Sequence, residues 1–167
     1  MIKVSAPGKL LLIGDHAVVY DRPCLVTAVN HRMSVSMEKR DDENIVIDAP
    51  EVGVKGFKIE LGQIANDQPK AVRFVIASVK NFFEKYNVKS GLNINTKSEF
   101  SSKFGFGSSS AVTVCTVKAL SEVFNIEMTK KEIFDISYKT VMDIQKAGSG
   151  FDIAAATYGG SLYFFTG

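Results

Sequence analysis

The sequence predicts an α+β fold, with strands gathered in its first half and helices in its second. Two observations carry this. Apolar residues alternate with polar ones across the early segments, whereas residues 69–86 repeat at helical spacing and two more helices are expected from the Gly-Ser run onward. No linker, repeat or low-complexity stretch separates the halves, so the 167 residues are expected to form one domain spanning 1–167.

The elements follow in order. Ile2 to Ser5 and Leu10 to Ile13 read as short strands, and Leu25 to Val29 as another. Met33, Val35 and Met37 alternate with Ser34, Ser36 and Glu38, the period of a half-buried strand. Asp41-Asp42-Glu43-Asn44 reads as a turn, with strands at Ile45 to Ile47 and Phe57 to Leu61 after it. Val72, Val75, Ile76, Val79, Phe82 and Phe83 mark one face of a helix, with Pro69 in its first turn. Leu92 and Ile94 mark a further strand. A helix is expected from Ser108 to Phe124, and a second from the capping-box pattern Thr129-Lys130-Lys131-Glu132 towards Gln145. Ala154-Ala155-Ala156 reads as a small-residue segment before Gly159-Gly160, and Leu162 to Phe165 as a closing strand.

Composition excludes several classes. Apolar residues make up 46% and charged residues 23%, and the formal net charge is +2 with no basic cluster, which argues against a nucleic-acid partner. The start lacks a secretory pattern, and no apolar run reaches the roughly 18 residues of a membrane span. Cys24 and Cys115 sit far apart in apolar segments and read as buried reduced thiols, which points to the cytoplasm.

Three segments carry chemistry. In Gly105-Phe106-Gly107-Ser108-Ser109-Ser110-Ala111, glycines let backbone N–H groups approach a ligand, and the first N–H groups of a helix favour an anion. The run lacks the Gly-Lys-Ser/Thr of the common P-loop, and taken alone it reads equally as a serine-capped turn. Ala6-Pro7-Gly8-Lys9 precedes an apolar strand, and Gly14-Asp15-His16-Ala17-Val18-Val19-Tyr20 follows it. Lys9 could offset charge on a transferring phosphoryl group, or be a surface lysine. His16 could be a base or a packed histidine. Gly148-Ser149-Gly150-Phe151-Asp152 holds a carboxylate on a tight turn, where it could take a proton from a hydroxyl or cap a helix. Asp143 could bind Mg²⁺ or be an exposed helical carboxylate. Together, a lysine, a phosphate loop with hydroxyls and a placed carboxylate are the parts that phosphoryl transfer needs.

In this order the segments resemble the motifs of the GHMP kinases, the family named for galactokinase, homoserine kinase, mevalonate kinase and phosphomevalonate kinase. The first segment is similar to the mevalonate kinase form, with Asp15 where that form has Glu. Gly105 to Ala111 resembles the ATP-phosphate loop, without the proline that usually precedes it. Gly148 to Asp152, with Tyr158-Gly159-Gly160, resembles the segment bearing the catalytic aspartate.

The resemblance implies the family's N-terminal domain, a fold similar to the second domain of ribosomal protein S5. It implies ATP and Mg²⁺ as cofactors and a small acidic substrate. Asp152 and Lys9 would be catalytic. Gly105, Phe106, Gly107, Ser108, Ser109 and Ser110 would hold the ATP phosphates, and Ser109 and Asp143 the metal. Asp15, His16, Lys103 and Ser149 would meet the substrate. The first segment and Arg22-Pro23 to Val29 favour phosphorylation of mevalonate. Lys103-Phe104 and Gly148 to Asp152 look more like phosphomevalonate kinase, which would also explain Lys146. Family members are longer and carry a third glycine-rich motif in a C-terminal domain. A C-terminal partner domain or a homodimer is therefore expected, and a nucleotide-binding fragment inactive by itself is the alternative.

Overall fold

The computed structural model describes residues 1–64, 68–101 and 104–165, apart from the side chain of Val19. Six strands form one sheet: β1 (Ile2–Ile13), β2 (Cys24–Arg40), β3 (Asn44–Ala49), β4 (Val54–Glu60), β5 (Gly91–Ser98) and β6 (Ser161–Phe164). Four α-helices accompany it: α1 (Arg73–Tyr86), α2 (Ser108–Phe124), α3 (Lys130–Gln145) and α4 (Phe151–Tyr158).

The sheet order is β1-β2-β5-β3-β4, with β6 pairing the start of β2. The β3–β5 pair is parallel and the others are antiparallel. A parallel pair needs a crossover, and the segment containing β4 and α1 supplies it. The first two short strands merge into β1, and the second two into β2. In β1 the pairing register shifts between Pro7 and Lys9, so the strand continues through an irregularity.

Period-2 residues meet the helices. Val4, Ala6, Val35, Met37, Ile45, Ile47, Leu92 and Ile94 are buried in one core with Val79, Phe82, Val114, Val117, Leu120 and Ile153. The helix expected from Pro69 begins at Arg73, with Pro69 in the preceding turn, where its carbonyl accepts the Arg73 N–H at 3.0 Å. The Thr129–Glu132 capping box is present at the start of α3. The small-residue segment at Ala154 to Ala156 lies within α4, whose eight residues span too few turns to show a period. Cys24 and Cys115 are free and buried. Burial pushes the Cys115 thiol up to about 12. No helix of the described residues is long and apolar enough to cross a membrane.

Candidate active site

The three chemistry-bearing segments meet where α2 begins. Gly107, not a serine, is the N-cap of α2, at φ +74° with no side chain to cap the helix. The first intrahelical bond runs from the Ala111 N–H to the Gly107 carbonyl at 2.9 Å. The N–H groups of the three serines before Ala111 therefore have no partner within the helix.

Gly107 is glycine for a second reason. A Cβ there would lie 3.1 Å from Lys9 Cγ and 3.6 Å from Asp152 Cβ. The stems of the lysine and the carboxylate thus flank the helix N-terminus. β1 is tied to the loop by the Lys9 N–H, which donates to the Phe106 carbonyl at 2.9 Å. Gly8 permits this approach, because a Cβ on it would stand 3.1 Å from that same carbonyl oxygen. The Lys9 ammonium sits 5.0 Å from the centroid of the Phe151 ring.

Asp152 is held from two sides. The Ser110 hydroxyl donates to its Oδ2 at 2.5 Å, and the Ile153 N–H donates to its Oδ1 at 3.0 Å. A hydroxyl-to-carboxylate bond this short is charge-assisted and directional. Asp152 lies in the first turn of α4, whose N-cap Gly150 has φ +87°. A Cβ on Gly150 would sit 2.9 Å from two ring carbons of Tyr138, and the Tyr138 hydroxyl donates to the Gly148 carbonyl at 3.1 Å. Packing of α3 on this turn thereby aims the carboxylate.

Beside the loop opens a cavity of about 700 Å³. Ser108 and Ser109 form one wall, and Met33, Val52, Phe74, Val75 and Phe100 supply apolar surface. Its size and largely apolar lining are in the range of small-molecule sites. Sequence reasoning missed this cavity, because its walls come from β2, β5, α1, α2 and the turn before β4. Of Phe100, Phe104 and Phe106, whose rings pack edge to face, Phe100 lines it.

The other predicted residues lie as follows. Asp15 and His16 are exposed on the turn after β1, and no described contact joins them to Lys9 or Asp152. Ser149 is half-buried between α3 and α4. Lys103 lies outside the described residues. Asp143, on α3, accepts from Lys139 at 2.7 Å and from Asn81 at 3.0 Å through the same oxygen. Its partial burial pushes its pKa up, but these two hydrogen bonds and the nearby lysine charges outweigh that and hold it below its ordinary value. Among the described residues, no group of three or more His, Cys, Asp or Glu side chains is placed to hold a metal ion.

Residues 73–160 match the family described as GHMP kinases N terminal domain. The chain belongs to the GHMP kinases. This GHMP kinase chain is 34% identical to the mevalonate kinase of Saccharolobus solfataricus, across 100% of its own length and 52% of the relative's. It is 38% identical to that of Archaeoglobus fulgidus, over 96% and 51%. The chain therefore spans about half the length of the curated relatives it matches. Its fold superposes on the Methanococcus jannaschii mevalonate kinase with a TM-score of 0.91 at 26% identity, covering 99% of this chain and 53% of that one. A phosphomevalonate kinase of Streptococcus pneumoniae shares the fold, with a TM-score of 0.74 at 18% identity.

Proposed function

We propose that this GHMP kinase chain provides the nucleotide site and the catalytic pair of an ATP-dependent kinase that phosphorylates mevalonate. One observation carries the reading: Gly107, at the N-terminus of α2, is flanked by both Lys9 and Asp152. Three segments far apart in sequence supply an anion site, a cation and a carboxylate at one place, which is the set that phosphoryl transfer requires.

In this reading the purine enters the cavity lined by Phe74, Val52 and Phe100, and the phosphates run along Gly105 to Ser110. The unpaired N–H groups and the dipole of α2 favour their negative charge. The substrate hydroxyl stands at Asp152. Its oxygen attacks the γ-phosphorus, the bond to the ADP oxygen breaks, and the hydroxyl proton passes to the carboxylate. Ser110 fixes the orientation of that carboxylate. Lys9 offsets charge on the oxygens that change partners.

Mg²⁺ supplies charge neutralisation on the phosphates when bound. It usually keeps several waters and takes one or two protein ligands, so the Ser109 hydroxyl beside the loop fits as one. Asp143 fits less well, since its Oδ2 is already engaged by Lys139 and Asn81. Mevalonate is favoured over phosphomevalonate by the names of the relatives at 34% and 38% identity. Free buried thiols support a cytoplasmic site of action.

The test is calorimetry with Mg-ATP, followed by coupled ADP release with mevalonate and phosphomevalonate offered separately, each with and without a C-terminal partner domain. Binding of Mg-ATP and turnover of mevalonate are expected. Turnover of phosphomevalonate alone would reverse the substrate assignment. Binding without turnover of either would reduce the chain to a nucleotide-binding module.

A further inference from the structure

We infer that a second cavity, at the far end of α4 from Asp152, is a binding site for a small phosphorylated anion. It has a volume of about 410 Å³ and is lined by residues of β1, β2, α2, α4 and the start of α3. Its charged lining is uniformly basic: Arg32, Lys118 and Lys130, with no carboxylate among the residues that form it.

None of the three forms an ion pair among the described residues. Arg32 is nevertheless fixed in place. Its Nε donates to the Ser5 hydroxyl at 2.8 Å and its Nη2 to the Ser5 carbonyl at 3.1 Å. A guanidinium has five N–H donors, so this anchoring leaves the rest of the fork for a ligand. Lys118 and Lys130 are exposed and come from separate helices.

The helix ends at the cavity act in opposite senses. The C-terminal end of α4 opposes an anion, whereas the N-terminal end of α3 favours it. The three cations then decide the sign. One planar donor fork and two ammonium side chains around a small volume suit phosphate oxygens, and the volume admits a metabolite rather than a polymer.

This site does not depend on the reading of the α2 loop. The decisive experiment is an amide NMR titration of the chain with inorganic pyrophosphate, which reports both places separately. Shifts at Val114, Lys118, Lys130 and Thr157 to Gly159 are expected, independent of any at Gly105 to Ala111. The double variant Lys118→Met/Lys130→Met, altered only at exposed positions, should lose at least tenfold in affinity at the cavity and keep its shifts at the loop. Shifts confined to the loop, or cavity shifts that survive the double variant, would overturn the inference. Equal binding of tricarballylate would overturn the phosphoryl class.

Discussion

At the scale of single residues, the site rests on atoms that are missing as much as on those present. Gly107 has a left-handed φ, and a methyl group on it would crowd the Lys9 stem at 3.1 Å and touch Asp152 at 3.6 Å. Gly107→Ala should therefore lose roughly 1–2 kcal/mol of stability from backbone strain and weaken Mg-ATP binding, as read by urea unfolding and calorimetry. An alanine variant that binds Mg-ATP as tightly as wild type would separate the loop from the nucleotide. Asp152→Asn preserves shape and removes the proton acceptor. Turnover of mevalonate should fall by about 100-fold or more while Mg-ATP affinity changes little. Wild-type turnover in that variant would remove Asp152 from the chemistry.

At the scale of elements, the helices are positioned by their ends. In α3, the Thr129 side chain accepts from the Glu132 N–H at 3.2 Å, and Glu132 accepts the Thr129 N–H at 2.8 Å. Thr129→Ala should cost about 1 kcal/mol, measurable as a lowered urea midpoint with an unchanged slope. An unshifted midpoint would show that α3 is held by packing alone. The start of α4 depends on contact rather than on a cap, because Gly150 offers no side chain and Tyr138 of α3 fills the space where one would be. The direction of Asp152 thus depends on how α3 packs.

At the scale of the whole molecule, several carboxylates favour their ionised form in the fold. Hydrogen bonds from the Thr129 backbone and hydroxyl hold Glu132 below its ordinary 4.5, and the Asn81–Lys139 contacts hold Asp143 below 3.8. The Arg40 guanidinium keeps Asp42 well below the usual carboxylate range. Folded values below unfolded ones contribute stability that is complete above the unfolded pKa and lost as pH falls through the folded one. Stability from these groups should hold down to about pH 5 and decline progressively below it. Asp143→Asn should flatten part of that decline in urea titrations across pH. An acid limb identical in the variant would assign the loss to other carboxylates.

What was legible in the sequence was periodic or tied to a local rule. Period-2 alternation marked the strands, helical spacing marked α1, and Thr129-Lys130-Lys131-Glu132 marked the start of α3, because each depends on neighbours within a few residues. The candidate motifs were legible too, as ordered segments of suitable chemistry. Three things required the tertiary structure. The eight residues of α4 are too few to show a period, and they form a helix where Ile153, Ala154 and Ala155 can be buried. The hydrogen bond from Ser110 to Asp152 joins residues 42 apart in the chain, which no local pattern reports. Likewise, Asp143 is occupied through Asn81, 62 residues away on α1. Sequence decides which groups are available. The packing of α2 and α4 against β1, and of α3 on α1, α2 and α4, decides which of them meet, since that depends on distances between segments the chain brings together only when folded.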